Sequence, residues 1–226
     1  MKILFLYRYG ILGGVCTQLF HRLRHIPGNL DLDIHCGFKS DHGVQEMLEP
    51  YATLHFGLDE NTTTGFLRTN KFDIIVIIDT EEYIRAVRDV DTDAIIIIEV
   101  HTSIERNLDY LSRLQEGDVN TFTTVSEYMV ERIKHHRSDT VLDCRIIKFE
   151  NVLDTELFQT SDIQSEGPPV VLWVGKIDDH KDWKAFMEIS SMINKQLPEV
   201  EFWIVGGQTC PDRLAQEVFE RTEELE

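Results

Sequence analysis

Short β-branched apolar runs recur along most of this chain, and each gives way to a stretch with helical spacing. The clearest runs are Ile74-Ile75-Val76-Ile77-Ile78 and Ile95-Ile96-Ile97-Ile98. A strand with one wet face alternates apolar and polar residues, and these do not. An uninterrupted run must be covered on both faces, which is the situation of parallel strands between two layers of helices. Candidate strands lie at 3–7, 32–36, 53–56, 74–78, 95–100, 121–125, 145–148, 170–174 and 202–205. Between them Val15, Leu19, Leu23 and Ile26 recur at helical intervals. So do Ile104, Leu108, Leu111 and Leu114, behind a Thr102-x-x-Glu105 capping box. A second box, Thr124-x-x-Glu127, stands ahead of Met129, Val130 and Ile133. Strand and helix in alternation predict an α/β fold with a Rossmann-like, doubly wound parallel sheet.

The pattern breaks at 159–169, a polar stretch ending in Pro168-Pro169. Two prolines block helix and favour an extended segment from Val170 onward. The expected organisation is a Rossmann-like domain over 1–158, a linker at 159–169, and the beginning of a second domain over 170–226. The last piece has one β-α-β unit, with Trp183, Phe186, Met187, Ile189 and Ile193 on its helix, and a final amphipathic helix bearing Leu214, Val218 and Phe219. That is little material from which to bury a core.

Charge excludes whole classes of partner. The chain has 226 residues with Lys+Arg 22 against Asp+Glu 40, a formal charge of -18. Such a surface repels nucleic-acid backbones and anionic bilayers, and no basic run is long enough to override it. Cys16, Cys36, Cys144 and Cys210 form no C-x-x-C pair and read as reduced thiols packed in the interior. No apolar run is long enough to span a bilayer, and the opening strand lacks a cleavage site, so the expected location is cytoplasmic. The sequon at Asn61 is then idle.

In open parallel sheets ligands bind beyond the carboxyl ends of the strands, and conspicuous residues gather there. Gly10 and Gly13-Gly14 follow the first strand and open a helix, where bare amides and the helix dipole favour an anion; a tight turn needing positive φ explains them equally well. The spacing is not G-x-G-x-x-G, so the dinucleotide fingerprint is absent. Tyr7, Arg8 and Tyr9 flank this loop and suit a hydroxylated or phosphorylated ligand. Asp79, Glu81 and Glu82 follow the fourth strand, where carboxylates accept from sugar hydroxyls; Asp79 would serve equally as a helix cap. His101 ends a strand, with Glu99 placed to orient it, and either meets a ligand or fills the core. His135-His136 reads as solvent-facing. Gly175, Lys176 and Lys181 stand between a strand and a helix start, where two cations hold a diphosphate unless they are merely solvated. Gly206-Gly207 marks a similar turn.

Taken in order, these segments resemble retaining glycosyltransferase family 4, with the GT-B architecture of two Rossmann-like domains. The resemblance rests on Gly13-Gly14-Val15, Val100-His101-Thr102-Ser103, Thr123-Thr124-Val125-Ser126-Glu127, the Asn151–Phe158 turn, Val174-Gly175-Lys176 with Lys181, and Phe202-Trp203-Ile204-Val205-Gly206-Gly207. Lys176 replaces the family's arginine, keeping charge but not the bidentate fork, and Val152 replaces a glycine. The family's Glu-x7-Glu pair would lie beyond residue 226, so the match covers an acceptor domain and the start of a donor domain.

The resemblance implies transfer of a sugar from a nucleotide-sugar donor to a hydroxyl on a glycan or lipid-linked acceptor, with retention, as in polysaccharide or glycolipid synthesis. It implies no cofactor and no metal, the leaving diphosphate being stabilised by Gly13, Gly175, Lys176, Lys181 and a helix start. His101 would touch the donor sugar, Gly14 would lie near the reacting groups, and Arg8, Tyr9 and Asp79 would contact acceptor or sugar. The alternative is a non-catalytic module of the same fold that binds carbohydrate or protein. An unrelated Rossmann-like oxidoreductase or epimerase is disfavoured by the missing fingerprint.

Overall fold

The computed structural model describes residues 1–90, 92–160, 167–175, 177 and 181–206. The chain divides into two compact units, Met1–Phe158 and Gln159–Glu226. Lys176, Gly207, Cys210 and the expected helix around Leu214, Val218 and Phe219 lie outside the described residues.

In chain order the first unit runs β1 (Lys2–Tyr7), β2 (Tyr9–Ile11), α1 (Gly14–Arg24), β3 (Asp33–Gly37), β4 (Ser40–His42), α2 (Gln45–Leu48), β5 (Thr53–His55), α3 (Glu60–Thr69), β6 (Ile74–Ile78), α4 (Glu81–Arg88) and β7 (Ile95–Val100). Two 3-10 turns, Glu105–Asn107 and Asp109–Arg113, lead to β8 (Thr121–Thr124), α5 (Glu127–His136), a third such turn at Asp139–Val141, and β9 (Arg145–Lys148). The main sheet has seven strands, all parallel, in the order β5-β3-β1-β6-β7-β8-β9. The chain winds outward from β1 in one direction, then returns to β6 and winds the other way. This is the α/β, Rossmann-like doubly wound sheet.

Each central strand feeds two cores, which is why its sequence does not alternate. Leu4 and Leu6 of β1 join a cluster with Ile75, Ile77, Ile96, Ile98 and Val100, packed under α3, α4 and α5. Phe5 and Tyr7 face the other way, toward Cys16, Leu19 and Leu23 of α1 and Cys36 of β3. Cys16, Cys36 and Cys144 are free thiols, the first two buried, as read from the sequence.

Several expected details are corrected. No continuous helix follows β7. Thr102 does not form its capping box, because the Glu105 carboxylate pairs with Arg132 and His136 of α5. The apolar residues Leu108, Leu111 and Leu114 are still buried, but on or at the ends of 3-10 turns. His136 is therefore half-buried against Glu105, its Nε2 2.9 Å from the carboxylate, and not solvent-facing, whereas His135 is exposed as expected. α5 is capped by Ser126, whose hydroxyl accepts from the Met129 amide at 3.3 Å. Thr124 instead ends β8 and donates to the Val100 carbonyl at 2.7 Å. The β2–β4 pair was invisible in sequence, and it accounts for Gly10: a Cβ there would drive into the Ser40 carbonyl and the Val44 side chain.

One feature of the sheet edge is sensitive to acid. His35 Nδ1 and His55 Nε2 share a hydrogen bond at 2.8 Å, while His35 Nε2 stands 3.1 Å from Asp33. Burial, then the neighbouring His35 and Lys2, hold His55 below its usual value. A histidine depressed in the folded state stabilises fully above its unfolded pKa of ~6.5, and that contribution is lost as pH falls through the folded value. Thermal melts should show the Tm falling below pH ~6.5, and His55→Gln should reduce that fall. An unchanged acid limb in His55→Gln would refute the assignment.

In the second unit β10 (Val170–Val174) and β11 (Glu201–Val205) pair in parallel, joined through α6 (Trp183–Asn194). Trp183 and Met187 of α6 are buried, whereas Leu172, Val174, Trp203 and Val205 remain exposed.

Candidate functional site

The winding reverses between β1 and β6, and the crevice at such a reversal is where ligands enter this class of fold. A cleft of about 490 Å³ lies at that point, at the carboxyl ends of β1, β6 and β7. Tyr7, Arg8 and Tyr9 form one wall, Asp79, Glu81 and Glu82 another, and Thr102, Arg106 and Tyr110 a third. The sequence-predicted Arg8, Tyr9 and Asp79 are thus brought together. Arg8 is clamped by Glu82 through two hydrogen bonds, Nε–Oε1 at 3.1 Å and Nη2–Oε2 at 2.5 Å. Such a fork fixes the guanidinium in one plane. Tyr9 is half exposed and stands edge-on to Tyr7.

Asp79 organises the floor. Its φ of 45° is left-handed, a conformation that a short polar residue tolerates better than most. It does not cap α4, the bland role foreseen for it; Thr80 occupies that position. The Asp79 carboxylate instead accepts from the amide of His101 at 3.0 Å and from that of Thr102 at 3.1 Å. Burial pushes its pKa up, against the pull of those amides and of the His101 side chain. The residue after β6 therefore fixes how the chain leaves β7.

His101 itself turns to the α1 face of the sheet. Its Nε2 makes a very short contact with the Glu99 carboxylate, and Glu99 also receives Arg22 Nη1 at 2.7 and 2.8 Å. Tyr7, Ile78, Glu99 and Thr123 are register partners across four strands, so Glu99 stands on the face that α1 covers. Glu99 is 5% exposed. Burial would raise its pKa, but the His101 hydrogen bond and the Arg22 charge outweigh this and hold it below the usual value. The Arg22 guanidinium also lies 4.6 Å from the Phe149 ring centroid. With Nε2 committed, His101 Nδ1 makes no hydrogen bond among the described residues and is the atom available to a ligand. Glu99 was expected to orient His101; Arg22 was not foreseen, since an arginine in an amphipathic helix gives no sign of which neighbour it meets.

Gly13 and Gly14 open α1 without needing to be glycine for conformation. Gly13 is extended at φ -178°, and neither residue has positive φ, so the tight-turn explanation fails. A Cβ on Gly14 would meet nothing within 4 Å. The α1 N-terminus carries no side-chain cap and no acidic residue in its first turn. Bare amides with open space before them are what an anion needs.

In the second unit, Gly175 follows β10, and its amide donates to the Val205 carbonyl at 3.0 Å. A Cβ on Gly175 would lie 3.7 Å from Lys181 Cγ, so these two predicted residues are neighbours. The α6 start is again uncapped by any side chain. Lys176, predicted with them, lies outside the described residues.

No protein-family model matches the sequence, and no curated protein matches it. Solved structures do. The chain superimposes on the S. aureus TarM G117R mutant, solved in complex with Fondaparinux, alpha-GlcNAc-glycerol and UDP, at TM-score 0.70 and 8% identity, over 99% of this chain and 76% of that one. A glycosyltransferase from Rickettsia africae ESF-5 matches at TM-score 0.61 and 12% identity, over 91% of this chain and 68% of that one. An alpha-glucosyltransferase in complex with UDP matches at TM-score 0.55 and 11% identity, over 98% of this chain and 61% of that one. At such identities the likeness is one of fold, and the fold is the α/β, Rossmann-like fold of GT-B glycosyltransferases.

Proposed function

We propose that this chain serves a glycosyltransferase that moves a sugar from a nucleotide-sugar donor to a hydroxyl acceptor with retention of configuration, as in family 4. The observation that carries the reading is the Asp79 junction: one side chain both floors the cleft at the sheet reversal and fixes the strand end that presents His101. The fold likeness to glycosyltransferases, two of them solved with UDP, supports it. In this reading the cleft takes the acceptor, with Arg8 and Tyr9 against it. His101 contacts the donor sugar through Nδ1. Gly14 lies near the reacting groups, and Gly13, Gly175, Lys176 and Lys181 are the residues that the family resemblance assigns to the diphosphate, main-chain amides and cations being what a leaving anion needs. A glycan or lipid-linked acceptor, polysaccharide synthesis and a cytoplasmic location belong to the same proposal. No helix among the described residues is long and apolar enough to cross a membrane.

A second reading, a non-catalytic carbohydrate-binding module, is favoured by the fact that every residue lining the cleft belongs to the first unit. One experiment separates the two. A panel of nucleotide-sugars is titrated against the wild-type chain, Gly14→Ala and Lys181→Ala. Because Gly14 has room and no special φ, its alanine variant should be as stable as wild type or up to about 1 kcal/mol more so. Its main-chain amide remains, but the added methyl projects into open space and should hold the donor off the α1 start, weakening binding about tenfold. Wild-type binding by both variants would remove the donor assignment, and no binding to any nucleotide-sugar would favour the module.

A further inference from the structure

The cleft holds four arginines, Arg8, Arg85, Arg106 and Arg113, and three carboxylates, Asp79, Glu81 and Glu82. Every carboxylate is already taken. Asp79 accepts the two main-chain amides of the β7 exit. Glu82 holds Arg8. Glu81 is shared between Arg85 at 3.0 Å and Arg113 at 2.9 Å, and Arg85 is further held by Glu60. Arg106 has no hydrogen bond or ion pair among the described residues. In a chain with 40 acidic and 22 basic side chains, an arginine inside a cleft with no carboxylate to meet stands out from the pairing scheme.

Donor counting sharpens the point. A guanidinium has five N–H groups. Arg113 spends Nε and Nη2 on Glu81 and keeps Nη1 free among the described residues. All five donors of Arg106 are free in the same sense. Tyr110, four residues along from Arg106, lines the cleft at 5% exposure, and its covered hydroxyl has no hydrogen-bond partner among the described residues. Glu81 and Glu82 thus do not quench the site: they brace Arg113 and Arg8, leaving an excess of donors. The ligand complementary to such a set is an oxyanion.

We propose that this cleft selects an acceptor bearing an oxyanion, a phosphate or a carboxylate, which seats on Arg106 and Arg113 while its neutral hydroxyls meet the Arg8–Glu82 pair and Tyr9. The proposal rests on reading the cleft as the acceptor site and specifies the class of acceptor. Arg113 braced by Glu81, together with Arg106, unpaired among the described residues, gives selectivity on a surface this acidic, because the two offset locally the field that repels anions elsewhere.

The test is a calorimetric titration of the whole chain with three probes: methyl α-D-glucopyranoside, glucose 6-phosphate and glucuronate, at low and at high salt. The expected result is binding of at least one charged probe about tenfold tighter than the neutral one, weakening with salt. A preference for glucose 6-phosphate identifies phosphate as the source, and one for glucuronate identifies carboxylate. Arg106→Ala should remove about tenfold of the charged-probe affinity and leave the neutral probe unchanged, with Arg106→Lys in between. Because Arg106 is exposed, the far-UV circular dichroism and Tm of these variants should match wild type. Equal affinity for all three probes, no binding of any, or an Arg106→Ala variant that binds charged probes like wild type would overturn the proposal. UDP titrated in parallel keeps the two readings apart. UDP binding that survives Arg106→Ala without an oxyanion preference refutes this acceptor class alone. Oxyanion selectivity without UDP binding refutes the transferase alone.

Discussion

An Asp79→Ala variant is expected to unfold well below the wild type, by about 2–4 kcal/mol, or roughly 5–15 °C in Tm for a unit of this size. Two amides, those of His101 and Thr102, lose their acceptor. Each unsatisfied donor costs about 1–3 kcal/mol, and alanine at a left-handed φ adds about 1 kcal/mol more. Removing a carboxylate whose burial raises its pKa offsets part of this loss. Asp79→Asn keeps an acceptor oxygen and tolerates the backbone conformation, so it should lose far less. The pH dependence has a defined sign. A carboxylate with a raised folded pKa favours folding at low pH, and that contribution disappears as pH rises through the folded value. Asp79→Asn, which resembles the protonated form, should therefore gain on the wild type as pH increases. Differential scanning calorimetry across pH 3–8 reads both effects. An alanine variant with the wild-type Tm would show that the junction is not held by this side chain, and the site as drawn would lose its floor.

Glu99→Ala should be at least as damaging. It strands Arg22 in the interior beside Phe149, with only Nη1 previously engaged and Nε and Nη2 already lacking partners. Breaking one side of a buried ion pair costs about 3–5 kcal/mol, more than the pair contributes against an apolar replacement. The double variant Arg22→Met with Glu99→Leu should therefore recover much of the stability that Glu99→Ala loses. Recovery of stability would not extend to donor binding, because His101 would lack the carboxylate that fixes its Nε2. Glu99 also sets an acid limb. Its depressed pKa means that its contribution is present above ~4.3 and is lost as pH falls through the folded value, so Glu99→Ala should flatten that limb. A double variant that restores both Tm and nucleotide-sugar binding would reduce Glu99 to a structural role.

The strands were legible because a parallel sheet buries both faces. The runs at Ile74–Ile78 and Ile95–Val100 were apolar for that reason, and the bounds expected for them coincide with β6 and β7. The 3-10 turns after β7 were misread as a helix for an equally physical reason. Leu108, Leu111 and Leu114 have the spacing of either form, and the decision came from the Glu105 contact with Arg132 and His136, residues distant in sequence. Arg106 and Arg113 stood in that same stretch on either side of Tyr110, and were the available signal for the cleft wall. Gly10 and Gly14 looked alike as glycines of one loop; only packing showed that the first is required by the backbone of β4 and the second is not.

By itself the sequence determined the layering of this protein, since apolar periodicity and glycine punctuation are local properties that a single chain displays openly. Tertiary structure alone decided the pairings: Asp79 with the His101 amide, Glu99 with Arg22, Glu82 with Arg8, and Arg106 with no partner among the described residues. A charged side chain in sequence carries its sign but not its partner. The free energy of a buried or clefted charge depends almost wholly on what lies within a few ångströms of it.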